Sequence, residues 1–178
     1  MLIKTILGGF GGQGILLMGY ALAYAAMKEE KYVAYLPSYG AEVRGGTANC
    51  TVSIGDEEIA SPIASSPNFL VIMNTPTMDR FQNTLRKGGI CLINTSLVNK
   101  ESSRNDIEIY GVPTVDLAEA AGDIRTANMV MLGAFVKVSN LVRIDSILDI
   151  IPEIFRGKKN EVQKINREAI LIGFNSIH

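Results

Sequence analysis

"LGGFGGQGILLMG", residues 7–19, sets five glycines and one glutamine between two apolar runs. If the glycines bend the chain, they separate a pair of elements. "LIKTIL" (2–7) is a short apolar run ended by glycine, as a buried parallel strand is. "ILLMGYALAYAAMK" (15–28) is made of helix formers and closes on Lys28, a charge favoured at a helix C-terminus. "YVAYL" (32–36) then reads as a second strand stopped by Pro37. Strand, glycine turn, helix, strand is a βαβ unit. The rival is a secretory signal or membrane anchor, because Thr5 to Met27 holds no charge, follows Lys4 and contains "ALAYAA". Each glycine inside such a helix would cost about 1 kcal/mol relative to alanine. The βαβ reading is the better one, and with it a cytoplasmic chain that makes no membrane contact.

Working outward, "SYGAEVRGG" (38–46) has three glycines and no apolar period, so it is a loop. "TANCTVSI" (47–54) alternates, with Ala48, Cys50, Val52 and Ile54 on one side and Thr47, Asn49, Thr51 and Ser53 on the other. Gly55-Asp56 suits a tight turn into "EEIASP", which predicts a hairpin there. "NFLVIMN" (68–74) is a buried strand, followed by a helix that Thr75 would cap and Pro76 would open. That helix shows Met78, Phe81 and Leu85 on one face and ends at Lys87-Gly88. "GICLIN" (89–94) and "IEIYGVP" (107–113) are further strands. "ANMVMLGAFVKV" (127–138) is apolar almost all round, the mark of a helix buried on several sides. Two more helices follow, one broken near Pro152 and one with Val162, Ile165, Ala169 and Ile172 on a single face. The expected fold is a single α/β domain over residues 1–178: a three-layer, Rossmann-like body with a mainly parallel sheet and a β-hairpin extension.

At 178 residues such a domain buries roughly two thirds of its unfolded surface. Lys plus Arg number 17 against 18 Asp plus Glu, which argues against a nucleic-acid or anionic-membrane partner. Two cysteines, Cys50 and Cys91, are too few for a disulfide framework or an iron–sulfur cluster held within the chain; small apolar core side chains are their readier role. The one histidine is His178, the last residue, so histidine-based catalysis and metal binding have no candidate.

Gly9-Phe10-Gly11-Gly12-Gln13-Gly14 fits G-x-G-x-x-G at the mouth of a helix. Such glycines permit a close backbone approach, and free N–H groups at the helix start favour an anion. They equally serve a tight turn with close helix–strand packing. A dinucleotide demands an acid about 20 residues on, at the end of the second strand. "YLPSYG" holds none there; Glu29 and Glu30 precede the strand and Glu42 follows it. No Lys-Ser or Lys-Thr closes the glycines for ATP. In the next loop, Glu42 and Arg44 with Tyr39, Gly45 and Gly46 are either a solvated ion pair or a docking surface on which Arg44 offers a planar fork. Asn128 opens the buried helix and either caps it or points to a partner.

Taken together, "GFGGQGILLMG" (9–19), "YLPSYGAEVRGGTANCTVSIGDEEIASP" (35–62) and "VIMNTPTMDRF" (71–81) resemble the gamma subunit of 2-oxoacid:ferredoxin oxidoreductases, most of all that of the 2-oxoglutarate enzyme. The likeness continues through "GGICLINTSLV" (88–98), "ANMVMLGAF" (127–135) and "NREAILIGF" (166–174). It implies a role in coenzyme A-dependent oxidative decarboxylation of a 2-oxoacid, with electrons leaving to ferredoxin. Thiamine diphosphate, Mg²⁺ and [4Fe–4S] clusters would belong to partner alpha, beta and delta subunits, and this chain would be inactive alone. It implies no catalytic or metal-binding residue here. Gly9, Gly11, Gly12, Gln13 and Gly14 would form a loop for the coenzyme A pyrophosphate or for a subunit interface; Tyr39, Glu42, Arg44, Gly45, Gly46 and Asn128 would lie at that interface. Without partners, the chain is expected to pair with itself through apolar surface meant for them.

Overall fold

The computed structural model describes residues 1–39 and 47–177; Glu42, Arg44, Gly45 and Gly46 lie outside the described residues. The elements are β1 (Leu2–Phe10), α1 (Ile15–Lys28), β2 (Tyr32–Tyr39), β3 (Thr47–Gly55), β4 (Phe69–Ile72), α2 (Thr75–Phe81), β5 (Ile90–Asn94), β6 (Glu108–Val112), α3 (Thr114–Ala120), α4 (Ala127–Ser139), α5 (Ile144–Ile154) and α6 (Asn160–Asn175). One six-stranded sheet runs β2-β3-β1-β4-β5-β6. β1, β4, β5 and β6 are parallel neighbours, and β3 is antiparallel to both β1 and β2.

The hairpin differs from the sequence expectation. β3 pairs with β2 on one side and β1 on the other, and residues 56–68 form no strand. The reason lies in burial: Cys50, Val52 and Ile54 face the main core, yet Asn49 and Ser53 on the opposite face are buried as well. A strand covered on both faces belongs inside the sheet. Beyond it the chain is tied to the start of β1. The Asp56 N–H donates to the Met1 carbonyl, the terminal ammonium meets Asp56 at 2.9 Å, and Lys4 Nζ donates to the carbonyls of Ser61 (3.0 Å) and Ile63 (2.6 Å).

Alternation along the strands builds two cores. Leu7, Val71 and Leu92 pack with Met18, Leu22, Met129 and Phe135 beneath α1, α4, α5 and α6. Ile6, Leu70, Ile72, Cys91 and Ile93 pack with Met78, Leu85 and Val98 on the α2 side. Phe135, the largest fully buried side chain, meets Phe69 edge-on at 5.4 Å; burial of this kind contributes about 1.5–3 kcal/mol per side chain. The charge-free run from Thr5 to Met27 is thus strand, turn and a 14-residue helix, and among the described residues no helix is long and apolar enough to cross a membrane.

α2 and α5 depart from the sequence reading, and α2 ends at Phe81, followed by a 3-10 turn over Gln82–Thr84, short of Lys87-Gly88. α2 is capped by Asn74, whose Oδ1 accepts the Thr77 N–H at 2.9 Å, so Thr75 is already helical. α5 runs through Pro152 to Ile154. Proline cannot bond the carbonyl four residues back, which is that of Leu148; Arg167 Nη1, from α6, donates to that oxygen at 2.6 Å. The start of α5 is held likewise from another element. Glu29 accepts the Arg143 N–H at 2.7 Å, and although burial pushes its carboxyl up, Ser146, Arg143 and Lys31 together hold it below the ordinary value.

α4 and α6 cross with glycine against backbone. A Cβ on Gly133 would collide with the Ile170 carbonyl oxygen, and one on Gly173 with that of Val130. Gly133→Ala should therefore destabilise the fold by about 1–3 kcal/mol through overpacking, although alanine is the better helix former by about 1 kcal/mol. Urea unfolding reads this as a lowered midpoint at constant slope; a raised or unchanged midpoint would refute the crossing.

Candidate functional site

The chain leaves β1 towards β2 and later returns to build β4, β5 and β6 on the other side, so the carboxyl ends of β1 and β4 flank the point where strand order reverses. Open α/β sheets place ligands in that crevice. β1 continues through Gly8 and Gly9 to Phe10, which leaves Gly11 to Gly14 as the turn proper and Gly14 as the cap of α1.

Each glycine has its own reason. A Cβ on Gly8 would meet the Thr77 side chain, 2.5 Å from Cγ2. One on Gly9 would lie 2.5 Å from Gln13 Oε1, 2.6 Å from Ile15 Cδ1 and 2.9 Å from Met73 Cβ. Gly14 has φ 71°, and a Cβ there would lie 2.9 Å from Asn128 Cγ. Gly12, at φ 95°, has nothing within 4 Å of where a Cβ would stand. Gly9 and Gly14 therefore make room for two carboxamides of the chain itself, and only the tip around Gly12 faces open space.

Those carboxamides hold the turn. Gln13 Oε1 accepts the Phe10 N–H at 2.6 Å and its Nε2 donates to the Met73 carbonyl at 3.4 Å. Asn128 is buried and its Nδ2 donates to the Gly14 carbonyl at 3.2 Å. It does not cap α4, which begins after Thr126 without a side-chain cap bond.

A cavity of about 540 Å³ lies between the turn and the α5–α6 connection; Leu17, Phe155, Val162 and Ile165 give it apolar wall, with Lys158 and Glu161 among its charged residues. A second, of about 240 Å³, lies over the strand ends with Gln13, Met73 and Asn94. Gly12, Arg125 and Asn128 line both. Arg125 is pinned by Asp123, at 2.9 Å through Nε and 2.6 Å through Nη2, and this partner holds the Asp123 carboxyl below its ordinary value. The cations of the larger cavity thus stand among acids, Arg125 with Asp123, and Lys158 with Glu161 in the same lining. Sequence reasoning missed Asp123, Arg125, Asn94 and Lys158, because they sit in connections or at a strand end, where no period marks them.

Of the interface residues read from the sequence, Tyr39 ends β2 in register with Ala48, and Phe10 is in register with Thr47. The described residues on either side of 40–46 thus stand at the same end of the sheet as the glycine turn. Cys50 and Cys91 occupy β3 and β5 on opposite faces, one in each core, and burial pushes both thiols up to about 12. They do not fit a shared cluster.

Gly14→Ala should cost about 1–3 kcal/mol, from left-handed strain and collision with Asn128 together, and Gly14→Ala with Asn128→Ala should recover the collision component. Gly12→Ala should show only the strain, about 1–2 kcal/mol. Equal losses at the two positions, measured by denaturation, would contradict the packing role of Gly14. The folded chain should also yield no thiol to an aromatic disulfide reagent near neutral pH and both thiols once unfolded; prompt labelling of the folded chain would place a cysteine at the surface.

The pyruvate ferredoxin/flavodoxin oxidoreductase family profile matches residues 4–176. The chain is 36% identical over 173 residues to the ketoisovalerate oxidoreductase subunit VorA of Methanothermobacter marburgensis, covering 96% of this chain and 36% of that protein. It therefore spans about a third of the length of that relative. It is 35% identical over 154 residues to the 2-oxoglutarate synthase subunit KorC of Methanocaldococcus jannaschii, covering 83% of this chain and 82% of that one. The crystal structure of the keto/oxoacid ferredoxin oxidoreductase gamma subunit from Geobacter sulfurreducens PCA superposes with a TM-score of 0.83 at 26% identity, covering 97% of this chain and 96% of that chain. The chain belongs to the pyruvate ferredoxin/flavodoxin oxidoreductase family.

Proposed function

We propose that this chain is the gamma subunit of a 2-oxoacid:ferredoxin oxidoreductase and that 2-oxoglutarate is the acid. What supports the substrate is the level of identity among relatives of similar extent: 35% to the KorC subunit, over 83% of this chain and 82% of that one, against 30% to the pyruvate synthase subunit PorC of Methanothermobacter marburgensis, which matches over 99% and 98%. In this reading the chain works by shape. The glycine turn, with Gln13 and Asn128 engaged inside, offers the Gly12 tip and its cavity rim to the alpha and beta subunits, which carry thiamine diphosphate, Mg²⁺ and the clusters. Coenzyme A is the acyl acceptor. A second reading has the tip hold the coenzyme A pyrophosphate; the larger cavity beside Gly12, with Arg125 and Lys158 in its lining, favours it. Asp123 and Glu161 in the same lining weaken it as a polyphosphate site.

The test has two arms. Mixed with partner subunits, the chain should support coenzyme A-dependent reduction of a redox dye with 2-oxoglutarate far better than with pyruvate or branched-chain 2-oxoacids, and alone it should support none. Preference for another 2-oxoacid would overturn the substrate, and turnover by the isolated chain would overturn the subunit role. Calorimetric titration of the isolated chain with coenzyme A should give millimolar or no affinity; micromolar binding would replace the buttressing role with the second reading.

A further inference from the structure

We propose that Gln13 is a positioning residue, whose side chain latches the glycine turn and thereby sets the geometry of the Gly11–Gly12 tip that the rest of the complex meets. The use of the tip rests on the function proposed above; the latch itself rests on this chain's own geometry. Phe10 and Gln13 are joined twice. The Gln13 N–H donates to the Phe10 carbonyl at 3.2 Å, and the Phe10 N–H donates back to Gln13 Oε1 at 2.6 Å. The other end of the carboxamide reaches across the switch point to the Met73 carbonyl, just beyond β4. Asn94 Nδ2, at the end of β5, donates to the same oxygen at 3.4 Å. One side chain thus ties the ends of β1 and β4, and a second adds β5.

Several observations make this more than a passing contact. Gly9 lacks the Cβ that would stand 2.5 Å from Gln13 Oε1, so the strand itself is shaped to admit the folded-back side chain. A long polar side chain beside solvent gives up rotamer freedom to lie there, which a residue without a task there would keep. The two bonds also need an acceptor and a donor on one group at that reach, which among side chains describes a carboxamide or a protonated carboxyl. Finally, a Cβ on Gly12 would meet nothing within 4 Å, so the tip is held from its two ends, by Gln13 at Phe10 and by Asn128 at Gly14.

The chemistry supplies its own test. In Gln13→Glu, the protonated acid keeps both bonds, whereas the carboxylate keeps the acceptor and faces the Met73 carbonyl with no proton. The Phe10 N–H favours the carboxylate and the Met73 carbonyl opposes it, so ionisation costs the second bond and keeps the first. Amide hydrogen exchange on the isolated chain is the first readout. Gln13→Ala should speed exchange at the Phe10 and Gln13 amides by about tenfold while α4 amides keep their wild-type rates. The second readout is dye reduction with partner subunits. For Gln13→Ala the chain concentration giving half-maximal rate should rise about tenfold, a larger change than that in the plateau. For Gln13→Glu that concentration should lie closer to wild type at about pH 5 than at about pH 8, while wild type stays flat.

Unaltered exchange in the turn of Gln13→Ala would overturn the latch. Faster exchange throughout, α4 included, would overturn a positioning role in favour of general destabilisation. An unchanged half-maximal concentration, or a Gln13→Glu response that does not move with pH, would overturn the link from latch to tip. If no 2-oxoacid supports turnover with the wild-type chain, the proposed function fails, and the exchange arm still decides the latch.

Discussion

β1 is paired along its whole length with β3 on one side and from Thr5 to Gly8 with β4 on the other, and it is covered on both faces through its middle. A strand so enclosed cannot turn by swinging outward. It must reverse where it leaves the sheet, in the space its neighbours allow. Thr77 crowds Gly8, and Gln13, Ile15 and Met73 crowd Gly9, so both positions admit a hydrogen and little more. The left-handed angles at Gly12 and Gly14 then bring the chain round into α1. The position of α1 over β3 follows, close enough that Gly19 meets Cys50 and Tyr35. From that helix follow the large core and the packing of α4 and α5 against it.

The same constraint determines what the turn can offer. A glycine motif is commonly taken to mean that backbone approaches phosphate. Here much of the approach is already taken by amide side chains of the protein, Gln13 behind Gly9 and Asn128 behind Gly14. The first turn of α1 carries no acid, so the helix itself does not repel an anion there. Yet Arg125, the cation beside the tip, is already bound to Asp123. The lining of the larger cavity holds as many acids as cations, Asp123 and Glu161 against Arg125 and Lys158, so it presents no net positive charge. That property suits a surface read by another protein better than one built to draw a polyphosphate from solution.

Much of this was legible in the sequence, because periodicity reports burial. The βαβ unit, the two inner parallel strands and the all-apolar α4 follow from which residues must leave water. What periodicity could not report was where polar residues would be buried. Thr47, Asn49, Thr51 and Ser53 alternate with apolar neighbours as a half-exposed strand would, so β3 looked like an arm of an outer hairpin, although Asn49 and Ser53 are enclosed. Pro152 looked like a helix end because its remedy, Arg167, comes from another helix. Asn74 and Thr75 are both good caps, and only backbone geometry, extended at Asn74, separates them. In the site, spacing identified the glycines but not their partners. Asn128 lies far along the chain from Gly14, and no local pattern joins them.

The glycines of one motif therefore divide between two tasks that the sequence cannot separate. Gly8, Gly9 and Gly14 are inward-looking: each lacks a side chain because a named neighbour occupies its place. Gly12 looks outward, with a backbone angle that disfavours other residues and empty space beyond it. Replacement at an inward position must disturb the fold first and function through it. Replacement at the outward one leaves the packing alone and changes what the tip presents. The portion of the motif that touches a partner or ligand is thus smaller than the motif, and the rest is the mould that keeps that portion in shape.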